Sequence, residues 1–227
     1  MYRPLRGAFF MTSLSTTAAL TELQAINQML AAVGQIPVTS IDVDANQNPT
    51  NPDVAMAMET LKQVSKEVQA EGWDFNKEYN VKITPVLNTT SNDTEIIIPA
   101  NVLQMDLCRD HWQNRGTDSV RRGGKLYNKT NHTYNWEGDQ YVDIMYLFEW
   151  DDLPAAIVNY IVNRACAVFA QRVVGSTDLY TMLQGQAEQA RTFALEYETQ
   201  QGDYTFFGFP AGGGYYNSYQ PFNALSR

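Results

Sequence analysis

Glu149, Asp151 and Asp152 surround Trp150, and carboxylates at a suitable separation beside an aromatic platform are what glycoside hydrolysis requires. Any acidic chain offers such pairs, and a cluster just ahead of a helix is more simply read as solvated and capping. The only histidines, His111 and His132, have no cysteine pair and no carboxylate at ligand spacing, so they predict no metal site. No GxSxG, HExxH, P-loop or GxGxxG pattern is present, and Gly212, Gly213 and Gly214 lack the flanking strand and helix of a phosphate cradle. The expectation is no catalytic residue, no metal and no cofactor, and so not an enzyme. A glycan-hydrolysing activity is the alternative.

Two sets of residues predict contact with a partner instead. Between Arg109 and Lys129, six cations (Arg109, Arg115, Arg121, Arg122, Lys125, Lys129) face two carboxylates, a net +4 in a chain of net charge −9. Arg121, Arg122 and Lys125 sit closest to the Gly123-Gly124 turn. They suit phosphates or an acidic protein surface, while a solvated hairpin edge protected by charge is the plainer reading. The second set is the tail after Gln200, where glycines and prolines alternate with Phe206, Phe207, Phe209, Tyr215, Tyr216 and Tyr219. Glycine argues against a packed element and so many rings against a solvated tail, which predicts an adhesive arm that orders on a neighbour. The alternative is that the rings fold back on the parent domain.

Long helices must hold these segments. Asn51 suits an N-cap, Pro52 the first helical position and Asp53 the positive end of the dipole. Val54, Met58, Leu61, Val64 and Val68 then mark one buried stripe, up to a stop at Gly72. Ahead of it, a cap at Thr16 or Thr17 opens a helix with Leu20, Leu23, Ile26, Leu30 and Val33 on one face, closed by Gly34. After Asp151, with Pro154 in its first turn, Ile157, Ile161, Ala165, Val168 and Phe169 define a third helix up to Gly175. Ser176 opens a fourth, along which Leu183, Ala187, Ala190, Ala194 and Tyr197 face inward.

Between the second and third helices the period falls to two. Tyr79, Val81 and Ile83 alternate with polar residues, Ile96–Ile98 and Val102–Leu107 are short apolar runs, and Ser91, Asn92 and Asp93 mark a turn. Gly123 and Gly124 predict a hairpin, and Tyr141–Phe148 a strand buried on both faces. The predicted fold is α+β: a four-helix bundle with an antiparallel β module inserted between helices 2 and 3, and extended N- and C-terminal arms. Its parts are a flexible arm (1–16), the first half of the bundle (17–75), the inserted module (76–150), the second half of the bundle (151–200) and the Gly/aromatic arm (201–227).

Composition agrees with a packed protein: 227 residues, 44% hydrophobic and 18% charged, make one large domain or two small ones. Cys108 and Cys166 are too few for a disulfide framework and fit free thiols in a reducing compartment. No apolar run is long enough to span a bilayer, so no membrane anchor is expected. The acidic balance argues against tight general binding to nucleic acid, with a nucleic-acid-binding module using Arg121, Arg122 and Lys125 as the weaker alternative.

Four stretches in order carry a resemblance: INQMLAAVGQIPV (Ile26–Val38), GWDFN (Gly72–Asn76), RGGKLYN (Arg122–Asn128) and DLPAAIVNYIVNRACAVFAQRVVG (Asp152–Gly175). Together, over roughly residues 18–200, they resemble the tail tubular protein A family of short-tailed, podovirus-type bacteriophages. The first ten or so residues and the segment after Asp203 look longer than the family pattern. The resemblance implies a structural virion protein made in the bacterial host cytoplasm and placed in the tail. It implies a homo-oligomeric ring of twelve copies between the portal protein and a tail nozzle of the tubular protein B type. It further implies a rim that supports a tail fibre or adhesin, and a lumen through which genome DNA transits without specific binding.

Overall fold

The computed structural model describes residues 20–42, 49–89, 93–108, 111–114 and 116–201. Four helices, α1 (Glu22–Ala32), α2 (Pro52–Gln69), α3 (Ala155–Val173) and α4 (Thr177–Gln201), flank seven strands that all fall between Lys77 and Tyr146. The architecture is α+β with the antiparallel strands between the second and third helices, as the change of period predicts.

The helix signals act as capping chemistry dictates. Asn51 Oδ1 accepts from Asp53 N–H at 2.9 Å, and Pro52 occupies the position where its missing N–H has no intrahelical partner. The start of α1 corrects the expectation of a cap at Thr16 or Thr17, which lie outside the described residues. Thr21 is the cap: its hydroxyl accepts from Gln24 N–H and Gln24 Oε1 accepts from Thr21 N–H, a reciprocal capping box. The stretch Thr21-Glu22-Leu23-Gln24 carries that signature, and the run of threonines ahead of it concealed which one terminates the helix.

Helix α3 is the axis of the helical part. It packs against all three others, and Ile157, Val158, Tyr160, Ile161, Val162, Ala165, Cys166, Ala167, Phe169 and Ala170 bury nearly its whole circumference. Helices α1 and α2 pack on it and on each other. Helix α4 lies along it through Leu183, Ala187, Ala190 and Ala194, and the three alanines let the two axes approach closely. Burial pushes the Cys166 thiol up to about 12, so this cysteine behaves as a small core hydrophobe. Glu71 closes the open side of the bundle, accepting from Arg164 at 2.8 Å, Tyr160 at 3.1 Å and Arg191 at 3.3 Å, and so joins α2 to α3 and α4.

The β module has its own core of Ile96, Ile98, Val102, Met105, Leu107, Leu126, Trp136, Val142 and Ile144. Strand β7 (Gln140–Tyr146) runs antiparallel between β1 (Lys77–Ile83) and β4 (Val102–Leu107). The expectation that this segment is buried on both faces is corrected. Val142 and Ile144 are fully buried, but Tyr141, Asp143 and Met145 on the other face are only half-buried. A small antiparallel sheet needs to bury only one face, and here the second is covered in part, with His111 stacked on Tyr141.

Two hairpins complete the module. In one, β2 (Val86–Leu87) pairs with β3 (Thr94–Glu95). In the other, β5 (Ser119–Arg122) pairs with β6 (Lys125–Asn128) through Gly123 and Gly124, both at positive φ, as a tight two-residue turn between twisted strands demands. The hairpins are joined: Leu126 N–H donates to the Ile96 carbonyl at 3.0 Å, Ile98 N–H to the Gly124 carbonyl at 2.8 Å, and Ile97 sits opposite Lys125.

Candidate functional site

The basic hairpin predicted from sequence exists, and its cations are engaged inside the chain in three different ways. Lys125 Nζ lies 2.6 Å from the carboxylate of Glu95, which is itself buried. Arg121 Nη1 donates to the Val102 carbonyl at 2.7 Å and ties the hairpin to β4. The Arg122 guanidinium lies over the Tyr127 ring, 4.2 Å from its centroid, and Tyr127 meets Tyr134 edge-on at 4.9 Å. Lys129 pairs with Asp118. Of the cations singled out from sequence, Arg109 and Arg115 lie outside the described residues. So do all six predicted arm residues, Phe206, Phe207, Phe209, Tyr215, Tyr216 and Tyr219, and the N-terminal arm 1–16.

The carboxylates beside Trp150 do not converge on a cleft. Glu149, Asp151 and Asp152 are exposed, while Trp150 packs against the helical core and its Nε1 donates to the Leu20 carbonyl at 2.8 Å, so the ring supports the bundle. A cleft of about 340 Å³ in the β module is lined mainly by Gln113, Asn128, Asn131, Asn135 and Gln140, with Glu137 its one titratable residue. A second, of about 520 Å³ between Pro37 and Val54, has Asp42 as the one titratable residue of its lining. Neither brings two carboxylates together. No group of three or more potential metal ligands occurs among the described residues, and no described helix is long and apolar enough to cross a membrane. His111 stacks on Tyr141 at 3.7 Å, an aromatic contact that fixes the loop after β4.

Sequence reasoning missed the junction between the helical part and the β module. The chain crosses it twice, and two buried amides hold both crossings. Gln69 Nε2 donates to the Phe148 carbonyl at 3.2 Å while Phe148 N–H donates to Gln69 Oε1 at 2.8 Å, so the side chain pairs with Phe148 as a neighbouring strand would. Asn76 Nδ2 donates to the carbonyls of Gln69 at 2.8 Å and Tyr146 at 3.0 Å, and its Oδ1 accepts from Trp73 N–H at 2.9 Å. Trp73 Nε1 in turn donates to the Val68 carbonyl at 2.7 Å. These bonds explain the GWDFN stretch: Gly72 supplies the positive φ, Trp73 plugs the end of the bundle and Asn76 fastens the outgoing strand.

Glu198 on α4 adds a third fastening, accepting from Asp74 N–H in the same turn. Burial raises its carboxyl above the ordinary 4.5; the Asp74 N–H opposes the rise and the Asp74 charge adds to it. Its Oε2 is buried with no partner among the described residues. A carboxyl whose folded value is raised contributes stability below its unfolded value and loses that contribution as pH rises through the folded one. Glu198→Gln keeps an acceptor for Asp74 N–H and removes the charge. It is expected to flatten the fall in stability just above pH 4.5 and to gain less than about 1 kcal/mol at pH 7, because the site is partly solvated. Urea melts of both proteins across pH 4–7 check the sign.

The fold and these surfaces define an α+β structural module, a helical body to which a β module is fastened by hydrogen bonds at the junction. The chain belongs to the tail tubular protein family, whose model, described as Tail tubular protein, matches residues 23–204. It is thereby a structural component of a bacteriophage tail. No curated protein sequence is significantly similar to it.

Proposed function

We propose that the chain is one subunit of a twelve-copy adaptor ring that joins the portal protein to the tail nozzle. Its rim supports a tail fibre or adhesin, and its lumen passes the genome. The family match over residues 23–204 carries this reading. Two physical features support it. A helix bundle joined by several buried hydrogen bonds to a second module makes a stiff wall segment. A net charge of −9 suits a conduit, since an acidic wall does not retain DNA phosphates. A closed ring requires two different faces of each subunit to meet, the arrangement that lets a small protein build a large annulus.

In this proposal the hairpin cations Arg121, Arg122 and Lys125 and the rings Phe206, Phe207, Phe209, Tyr215, Tyr216 and Tyr219 serve partner contacts. The aromatic segment reaches an adjoining subunit or the portal. Deleting residues 203–227 is expected to leave melting of the folded body within a few degrees of the full chain. Docking on purified portal should weaken about tenfold or more, as loss of several aromatic anchors does. Sedimentation of the mixture and images of the particles measure both. A truncated chain that docks as the full chain does refutes the arm, and a protein that forms no ring with portal refutes the adaptor reading.

A further inference from the structure

The two hairpins of the β module form one continuous surface whose outward face the core does not use. Opposed residues of an antiparallel pair share a face. The pairs Val86 with Glu95, Ile97 with Lys125, Val120 with Tyr127 and Arg122 with Lys125 therefore place these side chains together, opposite the buried Ile96, Ile98 and Leu126. Three aliphatic side chains on the outward face are open to solvent: Ile97 is 62% exposed, Val86 61% and Val120 37%. Among them the Arg122–Tyr127 stack holds a guanidinium in place, and no carboxylate of the described residues lies in ion-pair range of Arg122. Aliphatic side chains beside a stacked arginine and tyrosines make the composition of a protein–protein contact. A phosphate-binding surface would favour more cations and has no use for the aliphatic ones.

Charge is divided unequally along the chain. Residues 20–76 and 148–201 hold fifteen carboxylates against five cations, a net −10, whereas residues 77–147 hold nine against eight, a net −1. The surface that best complements the Arg122 face is thus present in every copy of the protein. We propose that the outward face of the two hairpins, centred on Ile97 and Arg122, seats on the acidic helical part of the next copy. It then forms one half of a heterologous contact. The inference rests on the ring reading and specifies which faces meet.

The test places a photo-crosslinking phenylalanine analogue at Ile97 in the full chain. It mixes isotopically labelled with unlabelled copies, assembles them with portal, and images the particles before irradiation. Cross-links from Ile97 to peptides within 20–76 or 148–201 of a differently labelled copy are the expected result. Rings that cross-link only to portal, nozzle, DNA or the copy's own chain, or not at all, overturn this face and leave the ring standing. The absence of rings overturns both. Independently, Arg122→Glu is expected to weaken assembly about tenfold, with Arg122→Lys intermediate and the wild-type contact weakening in raised salt. Assembly of the glutamate variant at the wild-type level and with the wild-type salt response overturns the proposal, circular dichroism having shown that each variant is folded.

Discussion

Gln69→Leu is expected to destabilise the protein by about 2–5 kcal/mol, although leucine has a similar volume and the site is fully buried. The side chain makes two hydrogen bonds to one residue across the junction, as donor to the Phe148 carbonyl and acceptor from the Phe148 N–H. Leucine fills the space but leaves that carbonyl and N–H without these partners, and each buried unsatisfied group costs about 1–3 kcal/mol. The loss should exceed that of an exposed glutamine such as Gln189→Leu on α4, which stays within about 0.5 kcal/mol. Because Asn76 Nδ2 donates to the Gln69 backbone carbonyl and to Tyr146, the two amides act on both crossings of the same junction. The double variant Gln69→Leu, Asn76→Leu should therefore lose less than the sum of the single losses. Chemical denaturation followed by tryptophan fluorescence measures the cycle, since Trp73 donates to Asn76 and to the carbonyl of Val68, the residue before Gln69. A loss under about 1 kcal/mol for Gln69→Leu would show that the junction is held mainly by the apolar contacts around it.

That junction also marks where the sequence stops being readable. The helices were legible because a stripe such as Val54, Leu61, Val64 and Val68 has a period that only a helix satisfies, and the hairpin because two glycines meet a backbone demand. Gln69 and Asn76 look like surface amides; their bonds to Phe148 and Tyr146 at the distant strand exit, 79 and 70 residues on, are what no local pattern shows. The apolar run Tyr141–Phe148 misled because composition does not say how many faces a sheet covers. Of the candidate contact residues, Arg121, Arg122 and Lys125 were visible as a local charge excess. Ile97 was hidden within the run Ile96-Ile97-Ile98, in which three equal side chains give no sign of which one faces out. The pairing of Ile97 with Lys125 across the two hairpins separates it from its neighbours. The aromatic tail stands on the sequence argument alone.

Phe169→Ala should bring the other large loss, about 3–5 kcal/mol, because Phe169 is the largest fully buried side chain among the described residues and lies on a helix that touches the other three. The cost combines lost transfer free energy with a cavity that a core of interlocking helices cannot fully collapse around. Against a typical total of about 5–15 kcal/mol, this leaves the isolated subunit close to the limit of folding. For a chain of this size the melting temperature should fall by about 2–4 °C per kcal/mol. Val168→Ala, one position away and only half-buried, supplies the control and should cost about 1 kcal/mol. The pair also bears on the proposed ring: such an assembly would bind only folded subunits, so contacts between copies would add stability by mass action, most visibly for the weaker chain. Phe169→Ala is therefore expected to melt far below wild type as dilute protein and to recover part of that difference once assembled with portal. Equal depression in both states would mean that the subunit draws no stability from its neighbours.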